Sequence, residues 1–218
     1  MTDEQIAHHE GGHLAVAYLL NAVILGGSIE PGKRYAGVAM VHMRAVPTRD
    51  LDRISRAGVV GEPPTVRRHC EGKALICLAG SHAEKLAPPR IVAAGGYQAE
   101  VSLEKPEQRP AASLPPQHRL TGADKVMFAE SRADDSDDDW KNDLVMAYDA
   151  VELLLRGTGK RIQLYMEFLD LEVRELLEEE RVKRLVRAAA EELLLHRTIS
   201  GPRVRAVMKA NDTWKRRK

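Results

Sequence analysis

The chain has 218 residues and a formal net charge of +1, with 30% charged and 4% aromatic residues. That length is sufficient to bury a hydrophobic core, and it favours one domain that carries an insertion. The balanced charge and the few aromatic rings argue against a nucleic-acid-binding protein, which usually needs a basic surface and stacking side chains.

Helical periodicity dominates the sequence. At its start, Thr2 and Gln5 have the spacing of a capping box, a common helix N-terminus. Glycine and proline then mark turns between shorter segments. In chain order, the pattern predicts a helix over 2–21, strands over 24–30 and 37–43, and helices over 65–86, 140–155 and 160–195. The last of these helices has a predicted break near Glu178. A short final helix is predicted from Pro202, with Ser200 as its cap. The predicted fold class is therefore mainly α, with a small β-hairpin or sheet next to the first helix.

One long region lacks this periodicity. Residues 87–138 are rich in proline and glycine, and the acidic run 134–139 follows at their end. Segments of such composition rarely bury enough apolar surface to order themselves. We predict a single domain over 1–218 that contains a long, mobile insertion over 87–138, and we interpret the acidic run as the solvated entrance of the next helix.

The cysteines and the hydropathy indicate the compartment. Cys70 and Cys77 are seven residues apart on one helical face, which is typical of reduced core thiols rather than of a metal-binding pair. No basic segment is followed by an apolar core and a cleavage site. The apolar run 14–25 is too short to span a bilayer. The sequence therefore predicts a cytoplasmic protein without a transmembrane segment.

The most informative motif is H-E-x-x-H, formed by His9, Glu10 and His13 with two glycines between them. Residues four apart lie one turn above each other on a helix, so both imidazoles can reach one metal ion. Glu10 projects beside them, where a carboxylate can take a proton from a metal-bound water. Each glycine costs about 1 kcal/mol relative to alanine in a helix, which indicates close approach by a neighbouring strand or a substrate. The simpler interpretation is two hydrogen-bonded core histidines with Glu10 at the surface. Both histidines share a helical stripe with apolar residues, namely Ile6, Val16, Ala17 and Leu20.

A catalytic zinc ion takes three protein ligands, so a third donor is needed elsewhere in the chain. Asp143 is the leading candidate, because a carboxylate among core positions needs a partner and a metal ion is one. Asp139, one turn earlier, and Glu84, after a small-residue patch, are the two rivals. The apolar positions that share the helical stripe of Asp143 are Met146, Ala147, Ala150, Val151 and Leu154.

Five segments resemble the peptidase domain of the FtsH-type ATP-dependent zinc metalloproteases. They occur in family order and cover most of the chain outside the insertion. Residues 6–17 are similar to the family's A-x-H-E-A-G-H-A helix, 29–38 to its I-x-P-R-G…L-G-x-T hairpin, 78–84 to L-A-G-R-x-A-E, 142–147 to N-D-L-x-x-A-T, and 190–201 to L-L-E-x-E-T-L-x-G.

The resemblance implies a helical metalloprotease-like domain with a catalytic zinc ion. In the family pattern, His9, His13 and Asp143 hold Zn²⁺, and Glu10 is the catalytic base. The chain departs from the family in having no G-x-x-x-x-G-K-[ST] loop, and Gly11 stands where alanine is usual. These features predict a stand-alone peptidase domain without the ATPase module.

The sequence therefore predicts a zinc metalloendopeptidase that hydrolyses flexible or unfolded polypeptide segments without ATP. The strand over 37–43 could pair with an extended substrate through backbone hydrogen bonds. An ATPase or adaptor acting in trans, and a homo-oligomer, remain open as partners, whereas nucleic acid is not expected.

Two other interpretations make different predictions. The chain could be a catalytically silent metal-binding regulatory or interaction module, although such a module gains nothing from an intact Glu10. Alternatively, the motif is accidental in a helical interaction protein. In that case His9 and Asp143 should lie too far apart for a common ligand.

Overall fold

A computed structural model describes residues 1–32, 36–43, 64–88, 143–155 and 159–212, all within one compact unit. These residues form six α-helices and a three-stranded antiparallel sheet, so the prediction of a mainly α fold with a small sheet is confirmed. The elements are α1 (Asp3–Leu19), β1 (Val23–Ser28), β2 (Val38–His42), α2 (Pro64–Ala83) with a 3₁₀ turn (Glu84–Leu86), α3 (Asp143–Leu155), α4 (Gly159–Glu178), α5 (Glu180–His196), β3 (Thr198–Ser200) and α6 (Gly201–Asn211).

The local signals at the helix ends are largely confirmed. The Thr2 hydroxyl accepts a hydrogen bond from the Gln5 backbone N–H at 3.2 Å, and the Thr2 N–H donates to the Gln5 side chain at 2.9 Å. The break near Glu178 separates α4 from α5, where Glu179 is extended. Ser200 is the N-cap of α6, although its side chain makes no capping hydrogen bond.

The sheet has the order β2-β1-β3, and β1 pairs antiparallel with both neighbours. Gly27 of β1 lies opposite Ala39 of β2 and Ile199 of β3. The third strand was not predicted, because three residues carry almost no periodic signal. In the described part of the chain, β2 is therefore an edge strand.

Helix α1 occupies the centre of the core, between α2 and α5. The buried positions of α1 extend beyond the stripe that carries the two histidines, because every residue from Ile6 to Ala17 except the partly exposed His9 is buried. The two glycines of the motif allow this packing. A Cβ at Gly11 would lie 2.9 Å from the Val186 carbonyl oxygen of α5, and one at Gly12 would lie 2.8 Å from the Ala79 carbonyl oxygen of α2. The close approach inferred from the glycines is thus made by two helices rather than by a strand.

Other predictions concern the cysteines, the membrane and the insertion. Cys70 and Cys77 are buried thiols on α2 that are not disulfide-bonded, and burial raises the pKa of Cys77 to about 12. Among the described residues, no helix has the length and apolar character needed to cross a bilayer. The predicted insertion lies outside the described residues, except for its first two positions, and remains a prediction.

Candidate metal centre

Three side chains from two helices that are distant in the sequence converge on one point. Helix α1 contributes His9 and His13, and α3 contributes its first residue, Asp143. The Oδ2 atom of Asp143 lies 3.0 Å from Nε2 of His9 and 3.2 Å from Nε2 of His13. One ligand atom from each residue lies within 4.8 Å of the others, so the group could hold a metal ion.

The other ring nitrogen of each histidine has a partner that fixes the ring. Nδ1 of His13 donates to the Ile76 carbonyl oxygen of α2 at 2.6 Å. Nδ1 of His9 donates to the Glu84 carboxylate at 2.6 Å. Hydrogen bonds of this kind are typical around metal-binding histidines, because they set the tautomer and leave the lone pair of Nε2 for the ion.

A glycine of α2 provides the space next to these nitrogens. A Cβ at Gly80 would lie 2.5 Å from Nε2 of His13 and 2.6 Å from Nε2 of His9. Any larger residue would therefore displace the two imidazole atoms that face Asp143. The donor set of two imidazoles and one carboxylate, together with this space, could hold a metal ion.

The protein surroundings favour charged forms at this point. Burial alone would lower the pKa of His9, but hydrogen bonds to Asp143 and Glu84, together with the negative charges of Glu10 and Asp143, outweigh burial and raise it to about 9. Burial likewise acts to raise the pKa of Asp143, yet hydrogen bonds from His13 and His9 bring it well below its usual range. A proton on Nε2 of His9 points at the Asp143 carboxylate, where a cation would bind. The proton and the cation compete for this site because both bind the same nitrogen and oxygen atoms.

Glu10 lies beside the three converging side chains and is only 5% exposed. The interpretation that placed it at the surface is therefore wrong. Burial raises its pKa, while the nearby imidazoles of His13 and His9 lower it, and the backbone N–H of Ala39 adds a smaller contribution in the same direction. A buried carboxylate with a raised pKa is a suitable general base, because its pKa lies closer to neutral pH than that of an ordinary carboxylate.

Strand β2 fixes the space available to that carboxylate. A Cβ at Gly37, just before β2, would lie 2.8 Å from Oε1 of Glu10, 3.0 Å from its Cγ and 2.6 Å from Cγ2 of Ile6. Gly37 therefore allows the edge strand to approach Glu10 without moving its carboxylate.

This geometry distinguishes Asp143 from Glu84, one of the two rival candidates for the third ligand. Glu84 does not contact the common point directly but binds the far side of His9, so it is a positioning residue in this arrangement. Asp139 lies outside the described residues. His8 faces away, and its Nδ1 donates to the Glu4 carbonyl oxygen at 2.8 Å.

Sequence reasoning missed three contributors to the site: the Ile76 carbonyl, Gly80 and Gly37. A small-residue patch at 79–81 was visible in the sequence, but small residues alone do not reveal which side chain they accommodate. A backbone carbonyl carries no sequence signal at all.

Comparison with known protein families gave no match, and comparison with curated protein sequences gave none either.

Proposed function

We propose that this protein is a zinc-dependent metalloendopeptidase acting on flexible or unfolded polypeptide segments. The observation that supports this proposal is the convergence of His9, His13 and Asp143, which are up to 134 residues apart, next to the buried carboxylate of Glu10. A purely structural metal site would not need a buried acid beside its ligands.

In this proposal His9, His13 and Asp143 hold the ion and leave room for a water molecule. Zinc bound in such a site would lower the pKa of water toward neutrality and polarise the scissile carbonyl. Glu84 and the Ile76 carbonyl would keep the two imidazoles oriented through their Nδ1 atoms.

Glu10 would act as general base and then as general acid. It accepts a proton from the attacking water and transfers it to the leaving amine, so each peptide bond consumes one water molecule and the carboxylate is regenerated. Its burial keeps competing solvent away, and the contact with β2 keeps it close to the strand that would present the substrate.

The edge strand β2 suits an extended polypeptide. The outer edge of β2 has no strand partner among the described residues, and β2 packs against the helix that carries Glu10. Backbone pairing along such an edge provides affinity with little dependence on the substrate sequence. This supports unfolded segments, rather than one small molecule, as the substrate class.

The resemblance of five segments to FtsH-type peptidase domains agrees with this proposal. The chain has no nucleotide-binding loop of the G-x-x-x-x-G-K-[ST] type. We therefore propose hydrolysis that does not depend on ATP binding by this chain.

The decisive experiment combines zinc analysis with a peptidase assay on an unstructured protein such as casein. The wild type should hold about one zinc ion and cleave the substrate. Glu10→Gln should keep the zinc and lose about 1,000-fold in kcat, because it removes the base but none of the ligands. Glu4→Gln is the matched control, since Glu4 is an exposed acid on the same helix.

The outcomes separate the competing functions. Zinc binding without turnover by the wild type would instead support the silent metal-binding module. Absence of stoichiometric metal in the wild type would exclude both the peptidase and the metal-binding module, although His9 and Asp143 lie close enough for a common ligand. Normal cleavage by Glu10→Gln would refute the assignment of the base.

A further inference from the structure

Helix α4 has an apolar row on the side that faces away from the core. Its buried residues are Ile162, Leu169, Val173 and Leu177. The side chains of Leu164, Phe168 and Leu171 project from the opposite face and are 56%, 50% and 46% exposed, respectively. Their spacing of four and three residues aligns them along the helix axis, as in the seam of a helix pair.

The charges in line with this row are separated along the helix. Arg161, seven residues before Phe168, continues the row at its N-terminal end, and Glu175, seven residues after Phe168, continues it at its C-terminal end. Neither side chain forms an ion pair within the part of the chain that the structure describes. By contrast, the neighbouring acids Glu167, Asp170 and Glu178 are bound by Gln163, Arg174 and Lys183.

We propose that this row is a self-association surface, on which α4 of a second copy of this chain packs antiparallel. Two-fold symmetry centred on Phe168 sets Phe168 against itself, Arg161 against Glu175 of the partner, and Glu175 against Arg161 of the partner. The basic end of each helix then meets the acidic end of the other, while a parallel arrangement would oppose like charges.

The central ring is already ordered for such packing. Phe168 contacts Tyr165 with ring centroids 5.9 Å apart, and the Tyr165 hydroxyl donates to Glu71 of α2 while accepting from Arg67 at 2.9 Å. An aromatic residue held in place at the centre of a surface loses little side-chain freedom on binding. The surface is small, so the dimer should form in the micromolar range rather than be obligate.

Analytical ultracentrifugation of the full chain over a concentration series tests the surface. The wild type should form a dimer, and Phe168→Glu should weaken association at least about tenfold, since it buries two like charges at the symmetry axis. Leu164→Glu provides a second test in case Phe168→Glu disturbs Tyr165. Leu195→Glu is the matched control, because Leu195 is 72% exposed on α5.

Charge reversal tests the antiparallel orientation. Arg161→Glu and Glu175→Arg should each weaken the dimer, and the double variant should restore it. The two residues are about 21 Å apart along one helix, so the restoration requires a second molecule.

The remaining outcomes overturn the proposal. A wild type that stays monomeric at every concentration excludes the surface, and so does a dimer that is insensitive to both Phe168→Glu and Leu164→Glu. If Phe168→Glu and Leu164→Glu both abolish the dimer, but the double variant does not reverse the weakening caused by Arg161→Glu and Glu175→Arg, the antiparallel partner is excluded. None of these readouts depends on zinc or on peptidase activity.

Discussion

Helices α1 and α4 depart from the usual distribution of residues in opposite directions. Helix α1 buries His8, Glu10 and His13, whereas α4 leaves Leu164 and Phe168 exposed. Burying polar groups is unfavourable unless they have partners, and exposing aligned apolar groups is unfavourable unless something covers them. The first arrangement therefore indicates a site for a small ligand, and the second indicates a surface for another macromolecule.

The largest effect should follow from replacing Asp143, the carboxylate that contacts His9 and His13 of α1. Asp143→Ala should weaken zinc binding at least about 100-fold, because it removes one of the three proposed ligands. Zinc titration against a competing chelator measures this loss. Asp139→Ala is the control, since it removes an acid four residues earlier in the sequence and should leave the affinity unchanged. The reverse pattern would make Asp139 the third ligand.

A second change addresses Glu10, the proposed base, and leaves the three proposed metal ligands untouched. Gly37→Ala should lower kcat about 100-fold with little effect on KM, because a shift of about 1 Å in the Glu10 carboxylate misaligns proton transfer. Zinc content should stay at the wild-type level. Steady-state kinetics on the casein substrate provide both parameters.

The control for Gly37→Ala is Gly72→Ala. A Cβ at Gly72 would lie 2.5 Å from the flexible end of Met43, a clash of similar size that does not involve Glu10. If both variants lost the same activity, the effect of Gly37→Ala would be general packing. Ile6→Ala combined with Gly37→Ala separates the two contacts further, since it relieves only the clash with Ile6.

The pH dependence of zinc binding should have a smaller and graded effect. The pKa of His9 is raised to about 9, so His9 carries a proton below that pH and must release it to bind the ion. Zinc affinity should therefore rise with pH, by up to about tenfold per unit, and level off near pH 9. Zinc titrations between about pH 6.5 and pH 9.5 measure this slope.

Glu84→Gln checks the cause of that slope. Glutamine can still accept the hydrogen bond from Nδ1 of His9, but it carries no negative charge and so raises the pKa of His9 less, and the affinity should level off at a lower pH. An unchanged plateau would contradict the role of Glu84.

The smallest effect is expected at the exposed row of α4. Leu164→Ser should change the free energy of unfolding of the monomer by no more than about 0.5 kcal/mol. Leu14→Ala, in the fully buried part of α1, should lower it by about 2–5 kcal/mol. Urea denaturation, at protein concentrations too low for the dimer to form, measures both changes in the free energy of unfolding. Equal losses would place the α4 row in the core.

Much of this architecture is local in origin, and that part could be predicted. The capping box of Thr2, the break after Glu178 and the apolar stripe that includes Asp143 each depend on residues within a few positions. Asp143 was predicted from the cost of a carboxylate among core residues, which is a local pattern with a distant consequence.

The remainder depends on contacts between distant segments. The burial of Glu10 arises because β2, α2 and α5 surround α1, and no periodicity within α1 reveals that. The role of Glu84 depends on the 3₁₀ turn that carries it toward His9, 75 positions away. Strand β3 forms only because β1 provides a pairing edge for three residues.

The wide separation of the converging donors in the chain has a consequence for folding. Asp143 is 134 residues from His9, so an ion shared by them would act as a reversible crosslink that closes a very long loop. Such a crosslink restricts the unfolded chain, and it ties the thermal stability of the whole core to the concentration of free metal around it.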